Sequence, residues 1–158
     1  NTHIAIKTEL FLYEAARAQH MQEVIKPALA QDAIVLCDRF TDATLAYQGF
    51  AQGIDHALIE RLNHFATDNL APDCTILIDL PPEIGLTRAL ERQRSATSGV
   101  SESRLEEKSL AFHQMVRQGY LKIAGRHRSR FYIADGRNNT DEVHRAIRDA
   151  VLMRIEGM

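Results

Sequence analysis

Cysteine is scarce in this chain: only Cys37 and Cys74 among 158 residues. Both lie in short apolar runs, where a thiol behaves as a small hydrophobe. That argues against a disulfide or metal framework and fits a reducing cytoplasm. Charge of one sign is lacking too, since 19 Lys and Arg face 21 Asp and Glu for a net charge of −2. Bulk electrostatic binding to nucleic acid or an anionic membrane is therefore not expected, while a local basic site for a small phosphate stays allowed. No apolar run approaches membrane-spanning length, and no secretory pattern is visible. The seven histidines show no metal-ligand spacing; His56 and His64 are the nearest pair on one helix, without a carboxylate arranged beside them. Neither G-x-S-x-G nor C-x-x-C occurs, and there is no repeat, low-complexity tract or inter-domain linker.

What is present reads as one domain over residues 1–158, with 45% apolar and 25% charged residues and enough length for a sizeable core. Residues 5–31 read as a long helix, with Phe11, Ala15, Ala18, Met21 and Ile25 on its inner face and Pro27 kinking or ending its regular part. Residues 33–37 read as a buried strand, 42–48 as a short helix, and 55–68 as a helix with Leu58, Leu62 and Phe65 on one face. A second strand is expected at 74–80, followed by a helix from Pro82 to about Arg92. Residues 93–102 (QRSATSGVSE) read as a mobile loop, and Ser103-Arg104-Leu105-Glu106 as a capping box. The helix it opens runs to about Ala124, with Phe112, Val116 and Ile123 inward. A third strand follows at 130–134, then a last helix capped by Asn139 or Thr140. Apolar strands alternating with helices imply an α/β fold with a parallel sheet flanked by helices, and ligands in such folds bind at the carboxyl ends of the strands.

That edge is where DRFTDATLAYQG begins. Arg39 could grip a phosphate through two parallel hydrogen bonds, with Asp38 orienting it or holding Mg²⁺ through water. A plain surface ion pair would explain the same two residues equally well. On the following helix Ala43 and Tyr47 share one face, and Thr44 and Gln48 the next. They supply a ring, an amide and a hydroxyl suited to a pyrimidine nucleotide, although an ordinary amphipathic helix accounts for them better when they are taken alone. On the first helix Glu9, Tyr13 and Arg17 form one stripe. Tyr13 could stack on a base and Arg17 could donate to a carbonyl, but alone the stripe reads better as a helix pair with a snorkelling arginine. Arg88, Arg92, Arg94 and Arg104 flank the small-residue loop, which leans towards a lid over a polyphosphate at about 92–104 rather than a solvated basic surface.

Together these segments resemble the thymidylate kinase family. The family's T-E-L-x-L-F-x-A-x-R-x-x-H is similar to TELFLYEAARAQH here; IKPAL, VLCDRF, LAYQG, PDCTILIDLPPEIGLTR, SRLE and GYL match further family segments in the right order. The match covers nearly the whole chain; the DRF…AYQG block is specific, and PPEIGLTR is shared more widely among nucleoside monophosphate kinases. The resemblance implies a three-layer P-loop NTPase-like fold and a cytoplasmic homodimeric transferase of dTTP biosynthesis, which binds ATP and dTMP and forms dTDP with magnesium. It places Tyr13 against thymine, Arg17 on the base carbonyl, Arg39 on the monophosphate with Asp38 helping to hold phosphate and metal, Tyr47 against the deoxyribose and Gln48 towards the base. Glu9, Ala43, Thr44 and Arg104 join the substrate side. Arg88 is expected along the ATP adenine, and Arg92 or Arg94 at the transferring phosphoryl group.

The sequence departs from the family pattern in four places. Ala43 and Ser103 replace a serine and an aspartate, and the lid is longer. Most consequentially, no G-x-x-x-x-G-K-S/T loop is present and no strand precedes the first helix. In this fold the first strand is central, so the three strands read here would leave a gap in the sheet, and the native protein is expected to extend upstream by roughly 30–60 residues. This segment alone is then expected to be inactive. The alternatives are a kinase for another nucleoside monophosphate, a non-catalytic nucleotide-binding remnant, and a dimerising remnant that binds nothing.

Overall fold

The computed structural model describes residues 4–95 and 109–157, the side chains of 92–95 excepted. They group into two compact units, Asn1–Pro72 and Asp73–Met158.

The first unit is helical. α1 spans Ile6–His20, a π-helical stretch covers Met21–Ile25, and α2 completes the rod at Lys26–Leu29. The regular α-helix thus stops before Pro27 rather than at it. Proline has no N–H for the carbonyl four residues back, and the wider turn absorbs that loss, with Lys26 N–H reaching Met21 O. The inner face differs from the expected one. Leu10, Met21 and Ile25 are buried, but so are Glu9 and Glu14, while Phe11 is 60% exposed. Met21 and Ile25 lie inside as their spacing required, while over the first turns the buried face is turned by one or two residues, because Glu9 and Glu14 have hydrogen-bonding and ion-pair partners there.

α3 (Thr41–Thr44) continues through a second π-helical stretch, Leu45–Ala51, so the short helix is longer than expected. α4 covers His56–Thr67, with the Asp55 side chain accepting from Leu58 N at 3.0 Å and Asp68 closing it in the left-handed conformation. Its buried face is Ile59, Asn63, Ala66 and Thr67; Phe65, expected inside, is 86% exposed. Gly49 packs against the start of α4: a Cβ there would meet His56 Cδ2 at 2.9 Å.

Residues 33–37, expected as a buried strand, pair with no strand among the described residues, and Ile34 and Leu36 are 70% and 90% exposed. An apolar strand is buried only when neighbours flank it, and the described residues supply none.

The second unit holds the sheet. β1 (Thr75–Asp79) and β2 (Phe131–Asp135) pair in parallel, in register from Thr75↔Phe131 to Asp79↔Asp135. The parallel pairing matches the expected α/β class, with two strands among the described residues instead of three. α5 (Pro82–Ser95) follows β1, α6 (Leu110–Arg126) precedes β2, and α7 (Thr140–Glu156) ends the unit. Phe112, Val116 and Ile123 of α6 are buried as their spacing required. α6 and α7 are capped by Ser109, accepting from Phe112 N, and Asn139, accepting from Glu142 N. The capping box at 103–106 and most of the loop at 93–102 lie outside the described residues.

Candidate functional site

Arg17 ties three elements of the first unit together. Its Nη1 donates to Asn63 Oδ1 on α4 at 2.9 Å and pairs with Glu14 Oε1 at 2.7 Å. Its Nη2 donates to Thr44 Oγ1 on α3 at 2.6 Å and to the Phe40 carbonyl at 3.3 Å. The Glu14 and Arg17 side chains are only 8% and 9% exposed, and the guanidinium carbon lies 5.7 Å from the Phe40 ring centre. Asn63 Nδ2 donates onward to the Thr41 carbonyl at 3.3 Å. A buried guanidinium is tolerable only with this many acceptors around it.

Glu9 gathers a second set of contacts. Its Oε1 accepts from Gln48 Nε2 at 2.9 Å and from Gln52 Nε2 at 2.8 Å. Thr44 and Gln48, expected on one face of their helix, are both buried and meet Arg17 and Glu9 respectively. Tyr13, on the same helix as both acids, is 43% exposed.

Asp38 and Arg39 sit exposed after residues 33–37. Arg39 holds φ of +64°, a left-handed conformation that costs a side-chain-bearing residue free energy and clusters at functional sites. Its guanidinium carbon stands 5.3 Å from the centre of the half-buried Tyr47 ring, and among the described residues it has no ion pair. Cys37 is exposed rather than buried in a strand; its thiol donates to the Arg39 carbonyl at 3.5 Å, and partial burial raises its pKa against the opposing pull of Arg17. Both cysteines are free. Ala43 is half-buried beside Thr44.

The second unit carries charge at the carboxyl edge of its sheet. Arg117 clamps Asp79 at the end of β1, with Nε–Oδ1 2.7 Å and Nη2–Oδ2 2.8 Å, and the bond raises the arginine's pKa. The register partner Asp135 is held by Arg137, whose hydrogen bonds lower the carboxyl to about 2. Arg88 Nη1 donates to the Gly136 carbonyl at 2.9 Å, which brings it to the same edge. The side chains of Arg92 and Arg94, and all of Arg104, lie outside the described residues.

Glu14, Asn63, Gln52, Phe40 and Arg117 were not singled out from the sequence. Glu14 could have been found from its i, i+3 spacing to Arg17. Asn63 sits at helical spacing between Ile59 and Ala66, a pattern that reads as core. Nothing local points to Gln52, Phe40 or Arg117.

The comparisons with known proteins converge. A family model described as thymidylate kinase matches residues 1–147. A thymidylate kinase of Geotalea daltonii is 54% identical over 157 residues, 99% of this chain and 73% of that protein. One from Geotalea uraniireducens is 54% identical over 148 residues, 94% of this chain and 69% of that protein. The crystal structure of thymidylate kinase from Ehrlichia chaffeensis superimposes with a TM-score of 0.70 at 31% identity, covering 94% of this chain and 66% of that one.

Proposed function

The chain belongs to the thymidylate kinase family of nucleoside monophosphate kinases, and we propose that its Asn1–Pro72 unit receives dTMP for phosphorylation to dTDP by ATP. The observation that carries this reading is Arg39: an exposed guanidinium on a backbone held at φ of +64°, with no ion pair among the described residues, beside the Tyr47 ring. Strain is kept where a function holds it, and a guanidinium of this kind suits a phosphate approached by two N–H donors. Tyr13 stacks on the base, Tyr47 lies along the sugar, and Arg17, Thr44 and Gln48 meet the base edge. Glu9, Ala43 and the lid's Arg104 complete the acceptor side.

The reaction is in-line phosphoryl transfer, in which the protein positions two nucleotides and stabilises charge without a covalent intermediate. Arg88 takes the ATP adenine, and Arg92 or Arg94 covers the phosphoryl group. Asp38 is an exposed carboxylate with no ion pair among the described residues, which fits a magnesium ion bound through water and held mainly by the nucleotides. When bound, that ion neutralises phosphate oxygens. On this reading the enzyme works as a cytoplasmic homodimer.

Binding of dTMP and of uncharged thymidine tests the reading in the Arg39→Ala variant. Loss of two charge-assisted hydrogen bonds should weaken dTMP at least about 100-fold, with thymidine unchanged. An equal loss for both ligands, or a loss under about threefold for dTMP, would remove Arg39 from the phosphate.

A further inference from the structure

Glu9 is buried, and one of its oxygens takes the side-chain NH₂ of both Gln48 and Gln52. A carboxylate only accepts hydrogen bonds, so each amide must turn its nitrogen towards Glu9. The demand is strong enough to leave Gln52 Oε1 buried without a hydrogen-bond partner among the described residues. Gln48 is held the same way at 2.9 Å; turned over, its oxygen would face the carboxylate oxygen at that distance, acceptor against acceptor. The amide of Gln48 therefore has one orientation, with its carbonyl left for whatever lies on its far side.

We propose that Glu9 is a positioning residue that sets base selectivity by fixing the Gln48 carbonyl as an acceptor for the N3–H of an imide base. This rests on the reading that Gln48 faces the base of the acceptor nucleotide. Thymine and uracil carry a donor at N3; cytosine carries a lone pair there. A locked carbonyl pairs with the first two and repels the third, whereas a free glutamine amide would turn over and serve either. Selection against cytosine is thus placed one side chain behind the base, in a carboxylate that acts through Gln48.

Dissociation constants for dTMP, dUMP, dCMP and N3-methyl-dTMP, measured on the full chain and its Glu9→Gln, Glu9→Asp and Gln48→Met variants, decide the matter. Glutamine at position 9 offers either a donor or an acceptor, and aspartate is one methylene short. Both should let the Gln48 amide turn and lower the dCMP-to-dTMP ratio about tenfold, as should Gln48→Met. A loss of stability alone would leave that ratio in place. The unsubstituted chain should bind N3-methyl-dTMP at least about tenfold more weakly than dTMP, which keeps the test decisive if the Glu9 variants fail to fold. Equal binding of the two would overturn the proposal. A ratio that collapses in Gln48→Met but holds in both Glu9 variants overturns Glu9's role and leaves Gln48 on the base. A ratio unmoved in all three removes Gln48 from the base, and the proposal with it. No dTMP binding by the unsubstituted chain overturns the acceptor-site reading itself.

Discussion

Replacing Glu14 with alanine should destabilise the Asn1–Pro72 unit by about 3 kcal/mol. The figure follows from burial. The Glu14 and Arg17 side chains are 8% and 9% exposed at 2.7 Å, and removing one member of such a pair generally costs about 3–5 kcal/mol, because the other charge stays buried alone. Arg17 keeps Asn63, Thr44 and the Phe40 carbonyl, which places Glu14→Ala at the low end. Arg17→Met should cost more, about 4 kcal/mol, since both Glu14 carboxylate oxygens are buried with no hydrogen bond beyond the ion pair. The double variant Glu14→Leu with Arg17→Met removes both charges and should cost less than either single change, about 2 kcal/mol, mainly for the stranded Asn63 and Thr44 acceptors. With Glu14→Leu as the matching single variant, taken at the same cost of about 3 kcal/mol as Glu14→Ala, these figures imply a coupling energy of about 5 kcal/mol in the cycle. Urea unfolding followed by far-ultraviolet circular dichroism supplies the free energies. Repeating it at high salt should leave the coupling nearly unchanged, because mobile ions do not enter a buried pair. Additive single effects below about 1 kcal/mol, or a coupling that vanishes in salt, would show that the pair behaves as a surface contact and would refute the reasoning.

Three further outcomes are expected. The Asp135 carboxyl, lowered to about 2 from 3.8 by Arg137, contributes stability that is complete above about 4 and lost as pH falls through about 2; a carboxyl NMR titration should show that midpoint, and Arg137→Ala should move it up towards 3.8. Gly136→Ala would set a Cβ 3.0 Å from the Asp79 carbonyl and 3.0 Å from Ile78 Cγ2, where backbone cannot give way; a loss of about 1–3 kcal/mol in urea unfolding is expected, and a neutral result would mean the β2–α7 turn yields freely. Asn139→Ala removes the side-chain oxygen that accepts from Glu142 N and should cost about 1 kcal/mol, with Asn139→Gly costing only a few tenths.

Local rules made much of the second unit legible. Its strands are short apolar runs, Asn139 sits where a cap belongs, and Phe112, Val116 and Ile123 are buried at helical spacing. The same rules misplaced faces in the first unit. There Glu14 pairs with Arg17 three residues on in the same helix, while Glu9 occupies the inside because Gln48 and Gln52 fold against it, and no periodicity in α1 reveals those two partners on another segment. Phe11 and Phe65 were assigned inward for being apolar and lie outside. Residues 33–37 show a different limit: an apolar run states an affinity for a sheet, and only a neighbouring strand turns that affinity into pairing. Of the candidate site, Arg17, Thr44, Glu9 and Gln48 are brought into contact pairs as motif residues, but the links that join them were invisible along the chain.

The exposed run at 33–37 also has a colloidal consequence. AIVLC is short, β-prone and uncharged, and its backbone is unpaired in any sheet among the described residues. In material made of residues 1–158 alone, such a stretch is adhesive towards another copy of itself, so its shelf life would depend on how often molecules collide rather than on how readily any one of them melts. The chain frames the run with Asp32 on one side and Asp38-Arg39 on the other. Charges in those places are gatekeepers that interrupt stacking of like segments. Neutralising Asp38 and Arg39 together would then remove the spacer that keeps neighbouring molecules of such material apart in a crowded solution, a loss separate from the phosphate role proposed for Arg39.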